Sequence, residues 1–349
     1  MRIKRTAGFL LRAVLFSLIL ITLVFYATYV MTPKYDYGIC SMVNLYEQPR
    51  NSVDVLLVGT SMFYSGVNTN VLWTEYGIPA YNLCSAEQSF WVSYYMIREA
   101  LKTQNPSVIL LDAQSSRYEA DYPKPARVIL STYGIRGLEN RLGAIFASVE
   151  DPMDAVRFSL GLPQVHQNLE NVTWQDFAYP VDNGGRGNTW KGYIEMDHVY
   201  QQTRPSFAWN SDTVPMNARE EEYARKIFEL CSRKGIRLML VGMPNCDYAA
   251  DQPFYNALWQ LAAEYGIGGI NYNEPTLRFG LKYSKDFADW QHLNVRGSMV
   301  FTRKLAQDLE EAFGLPDRRG DAAYRSYDDC AEQWYALYPT FVSAEINNP

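Results

Sequence analysis

Apolar positions along the chain change period several times, and each change marks an element. The first block is continuous: from Ala13 to Met31 no residue is charged. As a helix at ~1.5 Å per residue this run is about 28 Å long, enough to cross a bilayer core. Tyr35 to Ser52 then reads as a linker leaving the membrane. VDVLLVG (Val53 to Gly59) is short, apolar and rich in β-branched residues, the pattern of a parallel strand buried on both faces. IPAYNL (Ile78 to Leu83), SVILLDA (Ser107 to Ala113), IRLMLVGM (Ile236 to Met243) and Ile267 to Asn271 are the further strands. Between them, helical spacing covers Val71 to Tyr76, Phe90 to Lys102, Arg219 to Lys234 with Gly235 as its stop, and Pro253 to Tyr265. Val295 to Phe313 closes the series.

Strands alternating with helices predict an α/β fold, a parallel sheet with helices on both faces. The alternation fails between about Glu119 and Pro215. The expected organisation is therefore an N-terminus and transmembrane anchor at 1–31 and a linker at 32–52. An α/β domain at 53–315 follows, with an insertion at about 119–215, then a tail at 316–349 with one more helical stretch near Tyr327 to Tyr338.

Charge refines this picture at one place. Arg2, Lys4, Arg5 and Arg12 precede the apolar run, which predicts a cytoplasmic N-terminus and an outward-facing remainder. A cleaved signal peptide is the alternative, but no small-x-small site follows the run, so an uncleaved single-pass anchor is expected. The net charge of −6 gives no basic field for nucleic acid. The five cysteines form no CxxC pair and no metal-type spacing with histidine, so neither a metal nor another cofactor is expected, and scattered buried thiols are the simplest reading.

Candidate chemistry comes from two short segments. Ser61 follows a buried strand ending in Gly59, at the carboxyl edge where open α/β sheets place their sites. Alone it could equally be a turn serine or helix cap. The second segment is DWQHLNVRG, in which Asp289 and His292 stand three apart ahead of a helix. A serine hydroxyl needs a base held by a carboxylate, and this spacing lets Asp289 hold one ring nitrogen while the other faces Ser61. Asn294 fits the cap of the following helix. The G-x-S-x-G elbow of α/β-hydrolases is absent, since the run is Gly59-Thr60-Ser61-Met62-Phe63.

With LLVGTSMFYSGVN, YNLCSAEQSFWVSYYMIREALK, PSVILLDA and DFADWQHLNVRGSMVFTRKL in this order, the chain resembles the SGNH (GDSL-like) hydrolases. It is most similar in flavour to membrane-anchored bacterial members of the DltD and AlgJ/AlgX-like group, which handle acyl groups on envelope polymers. The resemblance covers Val53 to Asp112 and about Ile236 to Phe313. It implies a three-layer, flavodoxin-like fold with Ser61 as nucleophile, His292 as general base and acid, and Asp289 as its orienting partner. It also implies an acyl, foremost acetyl, esterase or O-acyltransferase. The substrate would be a cell-surface polysaccharide or teichoic-acid-like polymer, and a membrane-embedded acyl-donor protein would be a partner. The chain departs from the family at the oxyanion hole. The block-two Gly falls near Cys84 and Ser85, and the block-three Asn near Asp112 to Gln114. Candidate donors are the amide of Ser61 or Met62, with Ser85, Gln88 or Gln114. That departure leaves open a second class of function, a catalytically inactive binding or assembly subunit of an envelope-polymer system.

Within the irregular middle, the Gly-rich DNGGRGNTWKGY carries Arg186 and Lys191. It lacks a P-loop ending. The two cations are candidates for holding an anionic polymer, against the plainer reading of a surface loop. His166 and His198 have no metal-like partners in sequence and are expected in loop or packing roles.

Overall fold

The computed structural model describes residues 2–33, 37–179 and 190–338. The chain opens with helix α1 (Arg2–Met31), of which Ala7–Met31 is long and apolar enough to cross a membrane. Its large side chains point outward from Phe9 to Leu23, whereas Thr28 and Val30 are buried against the rest of the protein. The segment expected to be a linker instead forms helix α2 (Tyr37–Tyr46). Ile39, Met42 and Leu45 on it are almost fully buried. Their spacing of three suits one helix face, and burial of that face makes so short a helix worthwhile.

Strand β1 (Val55–Gly59) is followed by α3 (Ser61–Gly66), α4 (Thr69–Tyr76), β2 (Ala80–Cys84), α5 (Phe90–Ala100) and β3 (Val108–Asp112). A 3₁₀ turn, Ala113–Arg117, leaves β3. Helices α6 (Pro125–Thr132), α7 (Leu138–Ser148), α8 (Pro152–Leu160), α9 (Leu162–Val165) and α10 (Trp174–Ala178) occupy the stretch where strand–helix alternation failed in the sequence. The pattern resumes with α11 (Ala218–Lys234), β4 (Arg237–Gly242), α12 (Tyr248–Ala263), β5 (Gly269–Asn271), α13 (Val295–Phe313) and α14 (Arg325–Leu337). Gly235 ends α11 at φ 67°, a left-handed position that glycine adopts without strain.

The five strands form one parallel sheet in the order β2-β1-β3-β4-β5. Alternate strand residues enter different apolar cores, as strand geometry requires. Leu56, Val58, Ile109, Leu111 and Leu240 meet Trp91, Ile97, Phe228 and Leu258, which come from α5, α11 and α12. Val55, Leu57, Val108, Leu110 and Val241 meet Phe63, Leu72, Phe301 and Leu305, which come from α3, α4 and α13. Helices therefore cover both faces. A smaller core joins Ile39 and Val43 of α2 to Val128, Ile145, Phe158 and Val165, with Met31 of α1 packed on it. Because all strands run the same way, the turns after β1 and β3 meet at one edge, where the strand order reverses and open sheets leave a crevice.

Candidate active site

Gly59 ends β1 in close contact with β3: a Cβ there would stand 2.2 Å from Asp112 Cβ. The approach lets the fully buried Asp112 carboxylate bind the next residue. Thr60 donates to Asp112 Oδ2 through its amide at 3.1 Å and its hydroxyl at 2.5 Å, and the Gln114 amide donates to Oδ1 at 3.0 Å. Burial pushes the Asp112 carboxyl up, against the pull of these hydrogen bonds. Thr60 then caps α3, its Oγ1 accepting from the Met62 amide at 3.3 Å. Ser61 is thus the first residue after a turn held from β3 by Asp112, which the sequence marks only as near the block-three position. A carboxylate closing the otherwise apolar VILLD was the available signal.

The Asp289–His292 turn is built with similar economy. Phe287 and Leu293 form an antiparallel bridge around it, with Ala288 N donating to His292 O at 2.8 Å. Asp289 Oδ1 accepts from the Gln291 and His292 amides at 2.7 and 2.8 Å, which leaves Oδ2 for His292 Nδ1 at 2.7 Å. A carboxylate can only accept, so Nδ1 carries the ring proton and Nε2 is the basic nitrogen. Nε2 lies 2.7 Å from Ser61 Oγ. Partial burial alone would raise the Asp289 carboxyl, but the hydrogen bonds from the His292 ring and the two amides outweigh it and hold it at about 2. Asn294 braces the turn from below. Its Oδ1 caps α13 at Gly297 N (3.0 Å) while its Nδ2 donates to Lys285 O (2.8 Å).

Ser61 and His292 open into a cleft of about 720 Å³, in the range that takes a small ligand. Its walls include Tyr64, Trp91, Tyr118, Tyr122 and Trp290 together with Glu87, Arg117, Lys124 and Arg127. Arg117 is paired with Asp251 at 2.7 Å, and Arg127 grips Glu87 through two bonds of 3.1 Å. Glu220, from α11, also lines the cleft. Its Oε2 takes the Phe90 amide at the start of α5 (2.7 Å), and burial pushes its carboxyl well up.

The candidate oxyanion donors are sorted by this geometry. Met62 lines the cleft, but its amide is engaged by Thr60. Gln114 also lines it, and Tyr255 Oη donates to its Oε1 at 2.5 Å, turning the Nε2 donor the other way. Ser85 and Gln88 are not cleft residues. The Ser85 amide donates to Gly59 O at 3.2 Å and its side chain packs on Gly38 of α2, while Gln88 Nε2 donates to Ser93 Oγ at 3.0 Å. The Ser61 amide and Gln114 Nε2 remain as the candidate donors at the cleft.

Of the two polymer-binding candidates only Lys191 is described, and it does not line the cleft. Arg186 lies outside the described residues. Lys191 is 4% exposed and serves packing: Nζ donates to Gln48 Oε1 (2.6 Å) and Ser326 Oγ (2.8 Å) and sits 4.2 Å from the Tyr327 ring centre. Burial pushes its ammonium down to about 8. His166 bonds Pro163 O at 2.8 Å, and His198 lies out on the surface. Against known proteins, no family model matches the chain and no curated sequence matches it.

Proposed function

We propose that this protein is a serine-dependent acyl esterase or O-acyltransferase of the SGNH type, in that family's three-layer fold, acting outside the cytoplasm on acylated envelope polymers. The observation that carries the reading is the unbroken line Ser61 Oγ–His292 Nε2 and His292 Nδ1–Asp289 Oδ2, both at 2.7 Å, at the mouth of an open cleft.

In the proposed reaction His292 Nε2 takes the Ser61 proton as Oγ bonds to the ester carbon. The oxyanion so formed accepts from the Ser61 amide and Gln114 Nε2, and Asp289 offsets the imidazolium charge. Collapse breaks the ester C–O bond, and His292 returns its proton to the leaving alkoxide, leaving acyl-Ser61. Water or a polymer hydroxyl then gives a proton to His292 and attacks the acyl carbon; collapse breaks the acyl–Oγ bond, and His292 returns the proton to Ser61 Oγ. The first acceptor gives an esterase and the second a transferase. An acetyl group supplied by a membrane-embedded donor protein belongs to the same proposal, on the resemblance alone.

The test is labelling of the full chain in detergent with a fluorophosphonate probe, beside Ser61→Ala and His292→Ala. Labelling lost in both variants is the expected result. A folded wild-type chain that takes no label would move the assignment to a non-catalytic binding subunit.

A further inference from the structure

The outer end of α1 is wrapped by short helices whose own outer surfaces are apolar. Tyr26 Oη donates to Phe177 O at 3.0 Å, Thr28 Oγ1 to Leu160 O at 3.1 Å, and Asn168 Nδ2 to Met31 O at 2.9 Å. Gly161 lets α1 approach this closely, since a Cβ there would stand 2.4 Å from Thr28 Cγ2. Helices α8, α9 and α10 thus form a collar around α1 from about Val24 to Met31. Helix α8 is apolar on two sides. Ala155 and Phe158 are buried in the small core, while Met153, Val156 and Leu160 form an outward stripe at 55%, 45% and 48% exposure. Trp174 and Phe177 of α10 and Leu169 before it are exposed at 73%, 56% and 60%.

Length decides what covers these side chains. The last charge on α1 is Arg12, so a bilayer core of about 30 Å needs nearly all of the run to Met31. The collar wraps the last eight residues of that run, about 12 Å at ~1.5 Å per residue. If α1 spans the membrane, the collar cannot stand clear of it.

We propose that α8–α10 are immersed in the outer leaflet, so that the domain is held by an interfacial apolar collar as well as by α1. Amphipathic helices bury their apolar side about 5–10 Å into this boundary, a depth slightly less than the wrapped length. Trp174, Phe177 and Tyr26 then fall at the level of the aromatic belt. The collar carries Asp151, Asp154, Glu170 and Asp176 against Arg157, so its attachment is by apolar insertion and not by attraction to anionic headgroups. The small core links it to the cleft: Val128 and Ile129 of α6 pack with Phe158 and Val165, while Arg127 and Leu130 of the same helix line the cleft wall. The collar therefore fixes the cleft's height above the membrane.

The test reconstitutes the full chain in phosphatidylcholine bilayers containing acyl-chain-brominated lipid. The emission lost in Trp174→Phe gives the Trp174 share, and that lost in Trp290→Phe gives a control from the cleft. The proposal expects bromolipid to quench the Trp174 share at least about twofold more than the Trp290 share, with no dependence on salt. Equal or weaker quenching of Trp174 overturns it. In that case acrylamide separates a water-facing collar, which it quenches, from one covered by a second copy of the chain, which it spares. Resistance to alkaline carbonate extraction reads α1 separately, so failure of the span and failure of the collar are told apart.

Discussion

Two loops face Ser61, and they are finished to different degrees. In the Asp289–His292 turn both oxygens of the carboxylate are engaged, and a backbone bridge and a capped helix hold its two ends. The Ser85–Ser89 loop on the other side buries Ser85 Oγ, Gln88 Oε1 and Ser89 Oγ without partners among the described residues, and holds Glu87 at φ 53°. Buried unmet polar groups and a left-handed non-glycine residue each carry a cost of order 1 kcal/mol or more. The proposed base, His292, is thus held in place by the protein itself, whereas on the Ser85–Ser89 loop one of the unmet groups, Ser89 Oγ, belongs to a residue that lines the cleft. Rigid proton transfer beside an unfinished binding wall is the arrangement expected where binding energy completes the site.

That comparison can be broken most severely at Asp289. Asp289→Asn should keep the turn's shape, present the wrong ring tautomer and lower kcat by about 10⁴-fold. Because the folded carboxyl is held at about 2, its charge persists throughout the ordinary range and is lost only as pH falls through that value. The fold-loss should therefore persist from about pH 7 to about pH 9, where the carboxyl stays charged; a loss that disappears across this range contradicts the assignment. Gln114→Leu comes next. It should lower kcat by roughly 10²-fold with little change in KM, as loss of one oxyanion donor does, while thermal unfolding reports whether Tyr255 tolerates the change. Asn294→Ala removes the cap of α13 and the brace under the turn, and should cost about 1–2 kcal/mol, read as a lower denaturation midpoint. The smallest effect is expected on the opposite loop. Glu87→Gly relieves the left-handed backbone but loses the exposed pair with Arg127, for a net gain of about 0.5 kcal/mol or less. A clear loss of stability there would mean that the loop is braced after all.

Elements whose signal is local were legible in the chain. Val295–Phe313 was expected with the bounds it has, because Asn294 caps one end and glycine follows the other. The apolar strands were plain because short runs rich in β-branched residues and closed by turn residues are too short for helices. Helix α2 was not, because YGICSMVNLY is short and gains its stability from the cores it enters. In the site, Ser61, Asp289 and His292 share two short segments whose spacing already constrains them. The remaining parts depend on approach in three dimensions. Asp112 acts only because Gly59 lets β3 come close, Ser85 is turned toward α2, and Lys191 is covered by α14, 135 residues away from Ser326 in sequence. The collar was hidden in the same way, as its apolar stripes acquire meaning only beside α1.

The most direct measurement of the central claim is mass mapping of the protein after brief reaction with an activated acetyl ester and an acid quench. The account predicts one acetyl group, on the peptide carrying Ser61. It predicts none in Ser61→Ala, and strongly reduced acetylation in His292→Ala. Acetylation spread over surface lysines and tyrosines, unchanged by either substitution, would contradict it.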